Sequence, residues 1–436
     1  MKTVCIIVQN YYDIDIRVRR KAEALVAAGY AVDVLALRAS ANGDASYDLN
    51  GVQVHTISLG KQRGSLARYV FEYLAFLLWT TGKLIRLNGR RKYVVIDTNN
   101  LPDFLVFAGF WPRIRGAKVV FDMHEITPEF YMSKYQVDGR HWLVRLSRII
   151  ERVSMWYADH VITINQPIQQ LLAARGLPPG KCTVIMNAVD EELFRTGPEK
   201  LPMDPSDGKA KFVMMYHGTL TRIYGLDIAL EAFGRVHQAM PGAEFWILGK
   251  GPEEKALREH ARRLGLESKV RFIGSVLPHE IPAWLRRCDA GVLPTRQDVF
   301  LDLSFSNKLS EYIIMDKPVI ASGIRTIRYY FSDEALVFFE PVNPTDLAKQ
   351  MTRLHGDAEL RGRFARHAKV EYQPICWEVM RERYLTLMAR LTNPAGEKPA
   401  AVERQSGGVN AATRLVTTAN QPPPSETART PSYPPA

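Results

Sequence analysis

The feature that most constrains this fold is an alternation of short apolar runs with segments of helical periodicity. Alternating strands and helices favour a parallel sheet covered by helices on both faces. In the first half of the chain the predicted strands are 2–8, 31–37, 52–57, 93–97, 118–122, 160–165 and 182–186. The predicted helices between them are 17–28, 65–87, 104–111 and 141–157.

The alternation stops and then starts again. Residues 191–209 are rich in Pro and Gly and lack periodicity, which is typical of a linker. Beyond it the predicted strands are 212–217, 244–248, 270–273, 290–293 and 318–321, with helices 226–237, 253–264, 280–287 and 306–315 between them. We therefore predict an α/β protein with two doubly wound parallel-sheet domains, 1–190 and 210–372, joined by the linker 191–209.

The C-terminal segment 394–436 has a different composition. It holds eight of the 26 prolines and a single aromatic residue, Tyr433. Such a segment buries too little apolar surface to offset the entropy lost on ordering. We predict that it is disordered.

Composition excludes several classes of protein. The 436 residues are 46% hydrophobic and 24% charged, as in ordinary globular proteins. The four cysteines form no CxxC pair, which excludes a disulfide scaffold and gives no zinc motif. No export signal or membrane span is predicted, so we expect a cytoplasmic protein. The net charge is +11, but the basic residues are not interleaved with aromatic residues as they are in known nucleic-acid-binding modules. We therefore expect no nucleic-acid partner.

The loop 217–225 follows the first strand of the second unit and opens a helix. Gly218 and Thr219 are small enough to let backbone amides approach an anion, and Arg222 could pair with a phosphate. The alternative is an ordinary strand-to-helix turn with one surface arginine.

The stretch 304–312 also starts a helix. Ser304 or Ser306 can cap it, and Lys308 lies in its first turn, where exposed amides attract phosphate. Glu311 lies on the same helix face as Lys308. A nucleoside diphosphate needs such a pair, because the cation binds a phosphate and the carboxylate accepts hydrogen bonds from the ribose hydroxyls. The alternative is an intrahelical Lys–Glu pair.

A third cluster, 121–130, follows a buried strand in the first unit. His124 could donate to a substrate hydroxyl, with Asp122 or Glu129 orienting it. The alternative is loop capping around a satisfied histidine.

Together these motifs resemble the retaining GT-B glycosyltransferases of family four (group 1). The resemblance rests on the Lys-Leu-Ser-Glu-Tyr segment 308–312, the Lys-Pro-Val-Ile-Ala segment 317–321 and the loop 217–219. In the first domain, 99–106 and 122–129 are similar to bacterial enzymes that build surface polysaccharides. The resemblance implies two Rossmann-like domains facing across a cleft, with a C-terminal helix, 373–393, crossing back to the first domain.

The resemblance also implies roles for individual residues. Glu311 matches the second Glu of the family's Glu–seven residues–Glu motif, on the donor ribose, and Lys308 matches the basic residue on the diphosphate. The implied catalytic residues are His124, Lys308 and Glu311. The implied donor-binding residues are Gly218, Thr219, Arg222, Gly274, Ser275, Ser306, Asn307, Lys308, Leu309 and Glu311. The implied acceptor-side residues are Asp15, Asn100, Asp103 and Glu125.

Three positions depart from the family pattern. Leu303 stands where the first motif Glu is expected, and this puts the sugar-contacting carboxylate in doubt. Tyr224 replaces an expected Lys, with Arg222 two residues earlier as a candidate substitute, and Asp316 replaces a usual Gly.

The implied reaction moves a hexose from a nucleoside-diphosphate sugar to an acceptor hydroxyl with retention, in polysaccharide or glycolipid synthesis. No carboxylate stands out as a nucleophile, which favours front-face attack stabilised by positioning and by cations. We expect no cofactor and no metal ion, because no metal-ligand cluster is evident. The alternatives are a nucleotide-sugar epimerase of the same fold and a catalytically inactive binding partner.

The segment 61–92 suggests a membrane partner. Eight basic residues and one acid flank an apolar helical stretch, as in helices that lie in a membrane interface. An anionic membrane surface, at the inner face of the cytoplasmic membrane, would suit a lipid-linked acceptor. The alternative is that Phe76 and Trp79 pack on the sheet and leave a solvated basic face.

Overall fold

The computed structural model describes residues 1–39, 43–59, 66–189, 191–197 and 212–393, and these form two sheets. The first sheet has the strand order β3-β4-β2-β1-β5-β6-β7-β8, parallel throughout except for β3 against β4. Its strands are β1 (Thr3–Tyr11), β2 (Ala31–Leu37), β3 (Ser46–Leu49), β4 (Val52–Ile57), β5 (Tyr93–Asn99), β6 (Lys118–Met123), β7 (His160–Thr163) and β8 (Cys182–Val184).

The second sheet is parallel, with the order β11-β10-β9-β12-β13-β14. Its strands are β9 (Phe212–His217), β10 (Ala243–Leu248), β11 (Val270–Gly274), β12 (Ala290–Leu293), β13 (Val319–Ser322) and β14 (Val337–Phe339). Every residue of β9 and β10 is buried, as expected of strands covered on both faces.

Helices connect the strands of both sheets. They are α1 (Ile16–Ala27), α2 (Leu66–Arg91), α3 (Phe110–Ile114), α4 (Thr127–Tyr135), α5 (Trp142–Tyr157), α6 (Gln166–Ala174), α7 (Glu191–Thr196), α8 (Leu226–Val236), α9 (Glu254–Arg263), α10 (Ile281–Arg287), α11 (Asn307–Ile314), α12 (Arg325–Tyr330), α13 (Pro344–Gly356), α14 (Ala358–Tyr372) and α15 (Trp377–Thr392). Short 3₁₀ turns span Tyr12–Ile14, Asp103–Gly109, Arg222–Tyr224, His237–Ala239, Pro278–Glu280, Leu301–Leu303 and Gln373–Ile375.

The two doubly wound sheets confirm the predicted fold class, with local differences. The predicted helix 104–111 is a 3₁₀ turn, Asp103–Gly109, followed by α3. The predicted linker contains α7, so its first residues are helical. Residues 198–209 of that linker and the predicted disordered tail 394–436 lie outside the described residues.

The strand orders locate the crevices where ligands bind in open α/β sheets. The order reverses between β1 and β5 in the first sheet and between β9 and β12 in the second. The carboxyl ends of neighbouring strands diverge at these points and leave a gap lined by loops. Asp15 follows β1, Asn100 follows β5 and Gly218 follows β9, so several candidate site residues lie at these points.

The last helix packs against the first sheet. The Tyr384 hydroxyl donates to Asp97 Oδ2 at 2.8 Å, and Lys2 Nζ donates to the Thr392 carbonyl at 3.2 Å. The same Asp97 oxygen accepts from Lys21 Nζ at 3.1 Å. Burial by itself would lower the pKa of Lys21, but Asp122 and Asp97 raise it overall.

Helix α2 presents different residues to the sheet and to solvent. Phe76 is buried and its ring lies 5.8 Å from that of Trp79, and both pack on the first sheet. Phe76 and Trp79 therefore do not face a membrane, as the alternative interpretation of this segment expects. The outward side of α2 nevertheless exposes large apolar side chains, namely Val70, Phe71, Leu74, Leu78 and Ile85.

Candidate active site

Glycines allow three loops to meet at the carboxyl ends of β9, β10 and β11. The Gly218 N–H donates to the Leu248 carbonyl at 2.9 Å, and the Gly249 N–H donates to the Gly274 carbonyl at 2.7 Å. A Cβ on Gly249 would lie 1.8 Å from the Gly218 carbonyl oxygen, so no side chain fits. Sequence reasoning missed Gly249, although a Gly-Lys-Gly turn directly after the predicted strand 244–248 was the available signal.

Lys308 lies across this junction. A Cβ on Gly218 would come within 2.1 Å of Lys308 Cε, so the glycine makes room for the lysine. The Lys308 ammonium lies 4.2 Å from the Tyr224 ring centroid and 5.7 Å from that of Tyr216. Tyr224, which replaces an expected lysine, therefore helps to hold Lys308. Burial lowers the pKa of Lys308, whereas the nearby Glu311 acts in the opposite direction.

Glu311 is held by a chain of hydrogen bonds from β9. The Tyr312 hydroxyl donates to the Met215 carbonyl at 2.7 Å, so it accepts from His217 Nδ1 at 3.0 Å. His217 Nε2 then contacts Glu311 Oε2. The loop 217–219 and helix α11 thus meet as one unit, and His217 gains a positioning role that the sequence did not assign to it.

The start of α11 carries no side-chain cap. Ser306 occupies the N-cap position without a side-chain hydrogen bond to the helix, and the Ser304 hydroxyl donates to the Phe300 carbonyl at 3.0 Å. The prediction that one of these serines caps the helix is wrong. The first-turn N–H groups of α11 therefore donate to neither serine hydroxyl. N–H groups at a helix start that no side chain caps can bind an anion.

Leu303 takes part in the contact between the two sheet units. Its side chain is buried against the apolar cluster under β6 and β7, and its carbonyl accepts from Asn165 Nδ2 at 2.8 Å. Nearby, Ser133 Oγ donates to Asp298 Oδ2 at 2.5 Å, and the Phe130 and Phe300 rings lie 5.6 Å apart. A carboxylate at position 303 would lie against this apolar cluster, where burial disfavours its charged form.

Asn100 and Asp103 position the turn that carries His124 and Glu125. Asn100 Oδ1 accepts from the backbone N–H of His124 at 3.1 Å and of Glu125 at 3.2 Å. Asn100 Nδ2 donates to the Glu125 carbonyl at 2.7 Å and to Asp103 Oδ1 at 2.9 Å. Asp103 Oδ1 also accepts from Thr127 Oγ1 at 2.9 Å, which ties this turn to the start of α4.

Burial changes the acid–base properties of this turn. His124 Nδ1 and Glu125 Oε2 are buried and have no hydrogen-bond partner among the described residues. Burial lowers the pKa of His124 well below its usual value, so its ring is neutral at pH 7. Burial raises the pKa of Glu125 to about 7, with Arg17 acting against the shift. A carboxyl group that titrates near neutrality is suited to proton transfer or to binding a hydroxyl.

The acids expected to orient His124 have other partners. Asp122 contacts Lys21, next to Asp97. Glu129 contacts Arg175, which also pairs with Glu151 at 2.9 Å. These carboxylates neutralise buried cations within the fold, so the prediction that they orient His124 is wrong.

Three cavities lie around these residues, and both sheet units line two of them, the Glu311 cavity and the Leu303 cavity. The Glu311 cavity, of about 410 Å³, is lined by Asn307 and Glu311 of α11 and by Asp15 and Arg17 at the start of α1. The His124 cavity, of about 660 Å³, is lined by Asp15, Arg17, Asn100, His124 and Glu125. The Leu303 cavity, of about 230 Å³, is lined by residues that include His124, Glu125, Ser306, Leu309 and Leu303.

Asp15 and Arg17 line both larger cavities, which are therefore adjacent. Asp15 caps α1 through the Val18 N–H at 3.3 Å and accepts from Arg17 at 3.2 Å. Arg17 is a cation in the cleft that sequence reasoning missed. Its position in the first turn of a helix after a strand end was the available signal.

The remaining predicted donor residues lie at strand ends of the second sheet, outside the walls of these cavities. Tyr216 donates to the Thr219 carbonyl at 3.0 Å, Gly274 ends β11 and Ser275 follows it. Arg222 is exposed, and Arg296 Nε donates to its carbonyl at 3.1 Å.

Comparison with known families identifies both halves of the chain. Residues 14–188 match the glycosyl transferase 4-like domain, and residues 211–357 match glycosyl transferases group 1.

The chain belongs to the group 1 glycosyltransferases. A glycogen synthase of Mycobacterium tuberculosis is 26% identical to this glycosyltransferase over 297 residues, which are 65% of this chain and 69% of the relative. WcaL of Escherichia coli, whose name refers to colanic acid biosynthesis, is 32% identical over 133 residues, 30% of this chain and 31% of WcaL.

Solved structures agree on the fold of this glycosyltransferase. Sucrose-phosphate synthase of Thermosynechococcus elongatus superposes with a TM-score of 0.72 at 17% identity, covering 91% of this chain and 100% of that one. HepE of Anabaena, solved in complex with UDP, superposes with a TM-score of 0.65 at 17% identity, covering 89% and 100%. The fold is GT-B, as predicted.

No helix among the described residues is long and apolar enough to cross a bilayer. Within the same residues, no group of three or more His, Cys, Asp or Glu side chains is arranged to hold a metal ion.

Proposed function

We propose that this glycosyltransferase moves a hexose from a nucleoside-diphosphate sugar to an acceptor hydroxyl with retention of anomeric configuration. The observation that carries the proposal is the junction of Lys308, Glu311 and the loop 217–219 beside a cavity that both sheet units line. It combines a cation for phosphate with a carboxylate for ribose hydroxyls. The UDP bound in HepE supports a nucleotide donor of this kind.

In this proposal the donor diphosphate lies at the start of α11. Lys308 and the first-turn amides of α11 stabilise the charge that develops as the sugar leaves. Glu311 accepts hydrogen bonds from the ribose hydroxyls, and His217 holds its carboxylate in place. Arg17 faces the same cavity from the first sheet unit.

The acceptor binds in the His124 cavity. Its hydroxyl attacks the anomeric carbon on the face from which the diphosphate departs, and the bond from that carbon to the phosphate oxygen breaks. The leaving phosphate oxygen takes the hydroxyl proton. Glu125 accepts a hydrogen bond from the attacking hydroxyl and fixes its position, and neutral His124 binds a neighbouring sugar oxygen.

We further propose that the enzyme acts at an anionic membrane in polysaccharide or glycolipid synthesis. Besides α2, helix α5 exposes a second apolar stripe, made up of Trp142, Leu146, Ile149, Val153 and Trp156. Exposed arginines accompany both stripes, namely Arg86, Arg90, Arg145, Arg148 and Arg152. Apolar side chains bordered by cations suit an anionic bilayer surface. The partial similarity to WcaL supports this pathway.

The proposal is tested by a donor screen. The purified enzyme is incubated with UDP- and GDP-sugars, and release of the nucleoside diphosphate is measured with and without candidate acceptors. We expect one donor to be turned over, and NMR of the product to show the donor's anomeric configuration. Inverted product would reject retention, interconversion of the donor sugar would indicate an epimerase, and no turnover of any donor would indicate an inactive partner.

That the enzyme needs no metal ion stays a prediction. It would be contradicted if EDTA abolished turnover and added manganese restored it.

A further inference from the structure

An aromatic pocket beside the cleft has no role in the sugar transfer described above. It has a volume of about 170 Å³ and lies between α2, α4, α5 and the 3₁₀ turn at 103–109. Tyr73, Phe104, Tyr131, Leu143 and Ile150 are among its walls. A largely hydrocarbon lining of this kind suits an apolar part of a ligand.

The aromatic pocket adjoins the proposed acceptor site. It shares wall residues with the His124 cavity, including Tyr69, Tyr73, Leu101, Phe130 and Lys134. Its walls also include Val70 of α2 and Leu146 of α5, which belong to the two exposed apolar stripes. The pocket therefore borders both the exposed apolar surface and the cavity that His124 and Glu125 line.

A cation stands where the pocket meets the cleft. Lys134 Nζ lies 5.4 Å from the ring centroid of Tyr69, 5.5 Å from that of Phe130 and 5.3 Å from that of Tyr135. Among the described residues it forms no ion pair with a carboxylate. Three rings thus hold an exposed ammonium group at the junction without neutralising it.

We infer that the acceptor is a glycan carried on a lipid phosphate, with the phosphate on Lys134 and the first part of the hydrocarbon chain in the aromatic pocket. The inference rests on the proposed function, because it takes the His124 cavity as the acceptor site. The sugar end then reaches Glu125 while the chain leaves toward the apolar surface. Apolar contacts hold the chain, and Lys134 binds the phosphate as a point charge.

Asp103 determines the orientation of this ligand. Its carboxyl group is buried in the pocket wall, and its Oδ1 is occupied by Asn100 and Thr127. A carboxylate in the wall repels an anion from the depth of the pocket. The phosphate therefore stays at the Lys134 rim, and the uncharged chain enters.

The test uses farnesyl diphosphate as a probe, titrated by calorimetry into the full chain saturated with UDP, so that the donor site is occupied. Inorganic pyrophosphate and farnesol are the control ligands, since they separate the charge from the chain. The variants are Lys134→Ala and Leu146→Asp. The matched controls are Lys118→Ala, a lysine elsewhere on the first sheet unit, and Ile149→Asp, an exposed position on α5 outside the pocket wall.

We expect the probe to bind wild type, and each control ligand to bind about tenfold more weakly or worse. Lys134→Ala and Leu146→Asp should weaken probe binding by about the same factor and leave UDP affinity unchanged, while the control variants should match wild type. Pyrophosphate binding as tightly as the probe would indicate a free-phosphate site and overturn the inference. The inference would also be overturned if both pocket variants kept wild-type affinity for the probe, or if the probe did not bind wild type. Failure of UDP to bind wild type would instead contradict the proposed function, and the probe is then titrated without UDP.

Discussion

Lys308 and Glu311 should contribute to different kinetic constants. Lys308→Ala removes a cation that stabilises charge formed during the reaction, so kcat should fall about a hundredfold. Glu311→Gln weakens a contact made equally before and during the reaction, so KM for the donor should rise about tenfold with kcat nearly unchanged. Steady-state kinetics with the donor found in the screen measure both constants.

Lys349→Ala is the matched control for these variants, because Lys349 is an exposed lysine on α13. It should behave as wild type. Unfolding curves should show that both site variants are folded. Near-normal kinetics for Lys308→Ala would reject its assignment to the diphosphate.

Glu125 should produce a pH dependence close to neutrality. Burial raises its pKa to about 7, and the ionised form accepts the hydrogen bond from the acceptor hydroxyl. Lowering the pH through about 7 protonates the carboxylate, so kcat/KM for the acceptor should fall on the acid side. Glu125→Gln should lower kcat/KM and remove this acid limb. An acid limb that persists in Glu125→Gln would assign the titration to another group.

The junction of β9, β10 and β11 should tolerate no side chain at Gly249. That residue has φ +132°, and a Cβ there would lie 1.8 Å from the Gly218 carbonyl. Gly249→Ala should therefore lower the free energy of unfolding by about 2 kcal/mol or more and weaken donor binding, because the displaced Gly218 supports Lys308. Denaturant unfolding measures the first effect and calorimetry with UDP the second. Gly356→Ala is the control, since no atom lies within 4 Å of its added Cβ.

Helix α15 should contribute to stability through Tyr384. Its hydroxyl donates to Asp97, whose carboxyl group is buried beside Lys21. Tyr384→Phe removes that donor and leaves the carboxylate with fewer partners, at a cost of about 1–3 kcal/mol in the free energy of unfolding. Tyr329→Phe, at an exposed tyrosine, should be neutral. Equal stability of the two variants would show that the contact contributes nothing.

At the scale of the whole molecule, the enzyme should bind anionic vesicles through α2 and α5. Each basic residue near such a surface contributes about 1 kcal/mol, and salt screens the attraction. Wild type should therefore pellet with phosphatidylglycerol vesicles at low salt and be released at high salt. The triple variant Arg86→Glu, Arg90→Glu, Lys92→Glu should stay in solution. Arg91 is left unchanged because it lies 3.2 Å from the buried carboxylate of Asp33.

The control for vesicle binding carries the same change of charge elsewhere. Lys349→Glu, Arg363→Glu and Arg366→Glu lie on α13 and α14 of the second sheet unit and are exposed. This variant should pellet as wild type does. If both triple variants pellet equally, or wild type does not pellet, the membrane proposal is wrong.

Local pattern alone determined the fold class and most of the strands. The predicted strands 31–37, 52–57, 212–217 and 290–293 agree with β2, β4, β9 and β12. Three of them are largely apolar runs, as expected of buried parallel strands, and 52–57 mixes polar and apolar residues. The strands β3 and β14 were missed, because β3 is a partly exposed antiparallel edge strand and the three residues of β14 carry little periodic signal. Lys308 and Glu311 could be proposed from sequence because both lie within one turn of one helix.

Only the tertiary structure decided which distant residues meet. His217 contacts Glu311 and Asn100 holds the turn at Glu125, although long stretches of chain separate the members of each pair. Arg17 reaches the cleft for the same reason. These contacts depend on the order of the strands in each sheet and on the packing of one sheet unit against the other. A periodic pattern records which face of an element is buried but not which neighbour covers it, so the sequence determined the elements and the packing determined the site.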